Sequence, residues 1–197
     1  MDDLGNLRID QNAALVIFTF LQADCGDSEY GEELRSLGQE INPNRDINCR
    51  GFGEDSSEDG YLESDGMNIT YSITDAIRDI QPSVGLPGNH AEVLVQIAQE
   101  LREIAAQLEH SVVAQATQNL SRNINASHST QEWGNYLSTE VERVLRQGLS
   151  LNDLPQEHVI LALSLTLVKG VCKQAPHLLK NLFNTALQYI RLLSSRL

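Results

Sequence analysis

Apolar residues recur at helical spacing along most of this chain. In DSEYGEELRSLGQEI, Tyr30, Leu34, Leu37 and Ile41 follow at steps of four, three and four behind an Asp/Ser start signal, which predicts an amphipathic helix over 27–41. In VLVQIAQELREIAAQLEH, Val93, Ile97, Leu101, Ile104 and Leu108 fall at steps of four, four, three and four, one continuous stripe along a helix. Helical patterning then predicts elements over Ala91 to His110, Val112 to Ile124, Thr130 to Gln147, Asp153 to Lys173 and Pro176 to Leu193, with Pro176 suited to a first turn. The first apolar run, over 11–23, is ambiguous: LVIFTF is β-branched and aromatic, yet it sits among Ala, Leu and Gln at a helix-like length.

Two stretches depart from amphipathic patterning. From Asn42 to about Thr74, and above all in GEDSSEDGYLESDGMNIT (53–70), periodicity disappears and Asn, Gly, Asp and Ser dominate, as in a disordered or functional loop. A short DAIRDI turn and the breaker QPSVGLPGNH separate it from the later helices. EHVILALSLTLVKGV is apolar all round from Val159 to Val168 apart from two hydroxyls, which predicts a buried central helix. At about ten residues that run falls short of the roughly twenty needed to span a bilayer. The expectation is one all-α domain of seven or eight helices: N-terminal helices over 1–41, a disordered acidic loop over 42–74 and a helical part over 75–197.

Charge narrows the partners. The net charge of −13 argues against nucleic acid, which needs clustered Lys and Arg. The acids are concentrated early: residues 1–65 carry 16 acids and 4 bases, hence −12, and residues 66–197 carry 11 acids and 10 bases, hence −1. Cys25, Cys49 and Cys172 have neither zinc-site nor disulfide-framework spacing, and Asp2, Asp3 and Asp10 stand where a secretory signal needs bases. A cytoplasmic protein is expected, with the sequons at Asn68, Asn119 and Asn125 as chance matches. His90, His110, His128, His158 and His177 are scattered and most are expected at the surface. No nucleophile motif, paired carboxylates or phosphate loop stands out, so no catalytic residue, metal or cofactor is expected.

The order of LVIFTFLQ, EELRSLGQEI, a long loop, the stripe and finally VILALSLTLVKGVCKQAPHLLKNLFNTALQYI resembles the Bcl-2 family of apoptosis regulators over nearly the whole chain. That resemblance makes the first run a helix and implies an eight-helix bundle around the apolar one. It also implies that Ile97, Leu101, Ile104 and Leu108, with Val93 before them, are the groove-binding positions of the third Bcl homology motif, docking on pro- and anti-apoptotic Bcl-2-type proteins. The motif's usual Gly-Asp pair is here Ala105 and Ala106. Without the carboxylate that pairs with a groove arginine, binding is expected to weaken by roughly 2 to 5 kcal/mol, about thirty-fold and upward. Glu109, three positions on and about 60 degrees round the helix, is an imperfect substitute.

Within the loop, Leu62, Glu63, Ser64 and Asp65 before Gly66 resemble an initiator-caspase site, with cleavage after Asp65. Asp75 in SITDA matches poorly. The cut would leave GMNIT at a new N-terminus, a pattern for N-myristoylation at Gly66, and would remove most of the negative charge that repels anionic lipid. The resemblance thus implies a latent pro-apoptotic regulator that is cytoplasmic when intact and moves to the mitochondrial outer membrane after cleavage. A second reading is a membrane-active bundle that acts through its Val159–Ile190 hairpin, independently of groove binding. A third is an inert helical scaffold whose loop stays uncut.

Overall fold

The protein is all-α. In this computed structural model, residues 3–22, 28–41, 89–108, 110–147 and 154–196 are described; the acidic loop, its expected cleavage and lipidation sites and the DAIRDI turn lie outside them. Seven α-helices stand among the described residues: α1 (Asp3–Gln22), α2 (Glu29–Ile41), α3 (Asn89–Gln107), α4 (His110–Ala126), α5 (Trp133–Arg146), α6 (Gln156–Gln174) and α7 (Leu179–Arg196).

The ambiguous first run is helical, and α1 starts eight residues before the LVIFTF-centred segment. Leu4 and Leu7, three apart, already carry helical spacing upstream of it. The segment expected as one helix from Thr130 instead opens with a 3₁₀ turn, Thr130–Glu132. Local side chains favour that turn: the Ser127 hydroxyl donates to the Glu132 carboxylate at 2.9 Å and accepts from the Ser129 N–H at 3.2 Å. Another 3₁₀ turn, Pro176–Leu178, leads into α7. Its proline holds Ala175 extended, which ends α6.

Helix α6 is the axis of the bundle, packed by α1, α3, α4, α5 and α7. Every side chain from Leu161 to Leu165 is buried, as are Leu167, Val168, Val171 and Cys172. Its two hydroxyls cost little there, because Ser164 donates to the Ile160 carbonyl and Thr166 to the Ala162 carbonyl, both at 2.6 Å. Burial pushes the Cys172 thiol up to about 12, so this cysteine is an inert core residue. No helix among the described residues is long and apolar enough to cross a membrane.

Helix α1 lies against α3 and α7, with Val16, Ile17, Phe20 and Leu21 in the core. Helix α2 is tied to it where the Tyr30 hydroxyl donates to the Leu21 carbonyl at 2.8 Å. An exposed Lys180–Glu40 ion pair, 2.8 Å, joins α2 to α7, a contact worth no more than about 1 kcal/mol.

Helices α6 and α4 approach closely at Gly170. A β-carbon there would stand 2.7 Å from Cγ2 and 3.0 Å from Oγ1 of Thr117 on α4, whose hydroxyl is held by the Val113 carbonyl at 2.8 Å. Gly170→Ala should therefore lower stability by about 1–2 kcal/mol, overpacking outweighing the gain in helix propensity. Thr117→Ser, which removes the nearer contact and keeps the hydroxyl, should recover most of the loss in the double variant. Urea denaturation midpoints of the four proteins check this; additive losses would contradict it.

Candidate functional site

The stripe of α3 faces inward. Ile97, Leu101, Ile104 and Leu108 are each no more than 6% exposed, packed on a helix held between α1 and α6, while Val93 is half-buried. All four groove-type positions expected from the sequence are thus brought together, and all face the core. Each such side chain, fully buried, is worth about 1.5–3 kcal/mol of apolar transfer, so exposing the stripe requires something else to cover it.

Two members of the stripe escaped the sequence reading. Leu94 and Ala98 are buried as deeply as Ile97, whereas Val95 is exposed. The signal was present: Leu94 lies three residues before Ile97 and Ala98 three before Leu101, so both fall on the same face. Val93, half-buried and packed against the core, lies at the edge of the stripe beside Leu94.

Ala105 and Ala106 differ in role. Ala105 is half-buried and packs on the core, so its small side chain serves close approach within the intact bundle. Ala106 is exposed and lies at the edge of a concavity between α3, α1 and α6. Glu109 lies outside the described residues, as do Leu62, Glu63, Ser64, Asp65 and Gly66.

The exposed side of α3 is charged. Glu100 is half-buried at the stripe's edge, and its carboxyl is raised above the ordinary range by burial first and by the Glu103 carboxylate second. Of the described histidines, His110, His128 and His177 are exposed as expected, and His158 is the exception, buried in the first turn of α6. No cluster of His, Cys, Asp or Glu that could hold a metal occurs among the described residues.

The bundle with its inward stripe can now be set beside known proteins. A family model described as BH3 interacting domain matches residues 3–194. The chain belongs to the BH3 interacting domain (BID) family. It is 30% identical over 191 residues to the chicken (Gallus gallus) "BH3-interacting domain death agonist", covering 95% of this chain and 91% of that one. The mouse (Mus musculus) protein of the same name is 25% identical over 177 residues, 89% of this chain and 82% of that one. No solved structure matches at a significant level.

Because the folded state holds the Glu100 proton more tightly than the unfolded chain, ionisation of Glu100 opposes folding as pH rises through its raised folded value. Glu100→Gln should raise the unfolding midpoint at pH 7, and the gain should shrink below the ordinary carboxylate range. A pH series of thermal melts on both proteins checks the sign; an equal gain at pH 7 and pH 3 would contradict it.

Proposed function

We propose that the chain is a latent death agonist whose α3 stripe engages the helix-binding grooves of pro- and anti-apoptotic Bcl-2-type proteins once the N-terminal helices are released. The observation that carries this reading is the burial of Ile97, Leu101, Ile104 and Leu108 between α1 and α6 in a member of the BH3 interacting domain family. The names of the chicken and mouse relatives support the agonist role. A helix-in-groove ligand needs this apolar spacing, and the intact bundle uses it internally.

The trigger in this proposal is an initiator caspase cutting after Asp65, in the motif Leu62-Glu63-Ser64-Asp65 before Gly66. The cut leaves α1 and α2 held by contacts alone, so dissociation becomes possible without breaking any further bond. It also separates a −12 piece from a −1 piece, which favours anionic lipid surfaces for the second. Myristoylation of Gly66 adds one chain, marginal alone and sufficient with a second anchor such as the apolar α6–α7 pair or a membrane-bound partner. The intact chain is then cytoplasmic and the fragment acts at the mitochondrial outer membrane. An enzymatic role is not part of this proposal.

One observation favours the second reading, action through the α6–α7 hairpin: α6 is buried on nearly every face and is the most apolar surface the fragment would release. Leu101→Glu or Ile104→Glu cannot separate the two readings in the intact chain, because both residues lie in the core. Ala106→Asp can, since position 106 is exposed.

Incubation with an initiator caspase should give one cut between Asp65 and Gly66 by mass spectrometry, the two fragments co-eluting until detergent or membrane is added. Ala106→Asp should then tighten groove binding by the cut protein about thirty-fold or more and raise liposome permeabilisation in the presence of a groove-bearing partner. Resistance of the loop to cleavage would remove the trigger. Permeabilisation unaffected by Ala106→Asp and by the partner would favour the hairpin.

A further inference from the structure

We propose that Tyr30 is a phosphorylation site for a tyrosine kinase that prefers acidic sequences, open only when α2 leaves α1, and that the phosphate then keeps α2 from returning. Asp24, Asp27, Glu29, Glu32 and Glu33 lie within six positions of Tyr30, and no Lys or Arg occurs between Arg8 and Arg35. Charge pattern around the acceptor is one means by which kinases choose substrates.

Geometry supplies the gate. In the folded chain Tyr30 is 3% exposed, and its hydroxyl donates to the Leu21 carbonyl at 2.8 Å. An acceptor so placed cannot reach a kinase cleft until α2 opens. Helix α2 is suited to local opening: it packs chiefly on α1, on α7 and on the 3₁₀ turn before α7, and its buried apolar side chains are Tyr30, Leu34 and Leu37.

In the transfer, Tyr30 Oη attacks the γ-phosphorus of ATP. The Oη–P bond forms as the bond from that phosphorus to the β,γ-bridging oxygen breaks, ADP leaves, and the phenol proton passes to a kinase carboxylate and on to solvent. The product no longer fits the folded arrangement. The hydroxyl that donated to Leu21 has lost its hydrogen, and about 1.5 to 2 negative charges replace it. Docked, that charge would face the last turn of α1, the negative end of the helix dipole. No basic residue stands in that turn, and the first turn of α2 carries Glu29 and Glu32. Modification therefore traps the open form. Loosening of the α1 cover over the α3 stripe is a consequence that rests on the proposed function; the modification and the opening of α2 do not.

The test is phosphosite mapping by mass spectrometry on the full chain, with ATP and a recombinant acidophilic tyrosine kinase. Tyr61, which also has acidic flanks, is replaced by Phe throughout. A synthetic peptide over 24–36 should be a good substrate, and Tyr30 in the folded chain at least tenfold slower. Leu34→Ala and, separately, Leu37→Ala should each raise the Tyr30 rate severalfold while the α3 amides keep their hydrogen-exchange protection. The phosphorylated chain should lose protection in α2. A peptide that the kinase refuses, equal rates for peptide and chain, rates unmoved by both variants or raised only with loss of α3 protection, or α2 amides still protected after phosphorylation overturns the proposal. None of these steps needs the loop to be cut, and groove binding by the unphosphorylated, caspase-cut protein reports on the proposed function separately.

Discussion

In the proposed function, one apolar stripe on α3 serves two surfaces that it cannot face together. Ile97, Leu101, Ile104 and Leu108 are buried between α1 and α6 in the intact chain, and the same spacing is what a helix offers to a groove. The apolar transfer that would seat the stripe in a groove is the same that makes it core here. In the proposed function, latency needs no separate inhibitory segment; it follows from giving one set of side chains two competing uses, with the intact bundle as the first occupant.

The rest of the architecture serves that competition. Helix α6, buried on nearly all sides and with its hydroxyls turned onto its own carbonyls, provides an axis against which the other helices pack. Helix α1 packs on α3, with Val16, Ile17, Phe20 and Leu21 buried in the core, yet it lies before the acidic loop in sequence while α3 lies after it. The cover and the covered helix are thus joined through the acidic segment that carries the proposed cut after Asp65. In the proposed function their apolar contact outlasts that cut until a membrane or partner outcompetes it, which makes release a population shift.

Much of this was legible in the residues. Spacing of four and three identified the helices around Leu34 and Leu101, and the unbroken apolar run from Val159 marked the central one. What periodicity could not say was which way the stripe faces, because an amphipathic helix looks the same packed inward or docked outward. Leu94 was missed for a related reason: Val93 and Leu94 are both apolar, and only the three-dimensional neighbours of α3 bury Leu94 more deeply. The split of the Thr130 segment depended on Ser127, Ser129 and Glu132 bonding to one another, a local choice that competes with helix and leaves hydrophobic spacing unchanged. The recess beside Ala106 was invisible for the same kind of reason, since it is made by three helices distant in sequence. His158 shows the converse, a polar residue placed in the core by its position on the inward turn of α6.

The most direct measurement is the affinity of a Bcl-2-type groove protein for the intact chain and for the same chain cut after Asp65, both in the presence of liposomes. If α1 occupies the stripe, the cut protein binds at least tenfold more tightly and its α3 amides lose hydrogen-exchange protection before partner is added. Equal affinity, with α3 protection unchanged by the cut, would contradict the account.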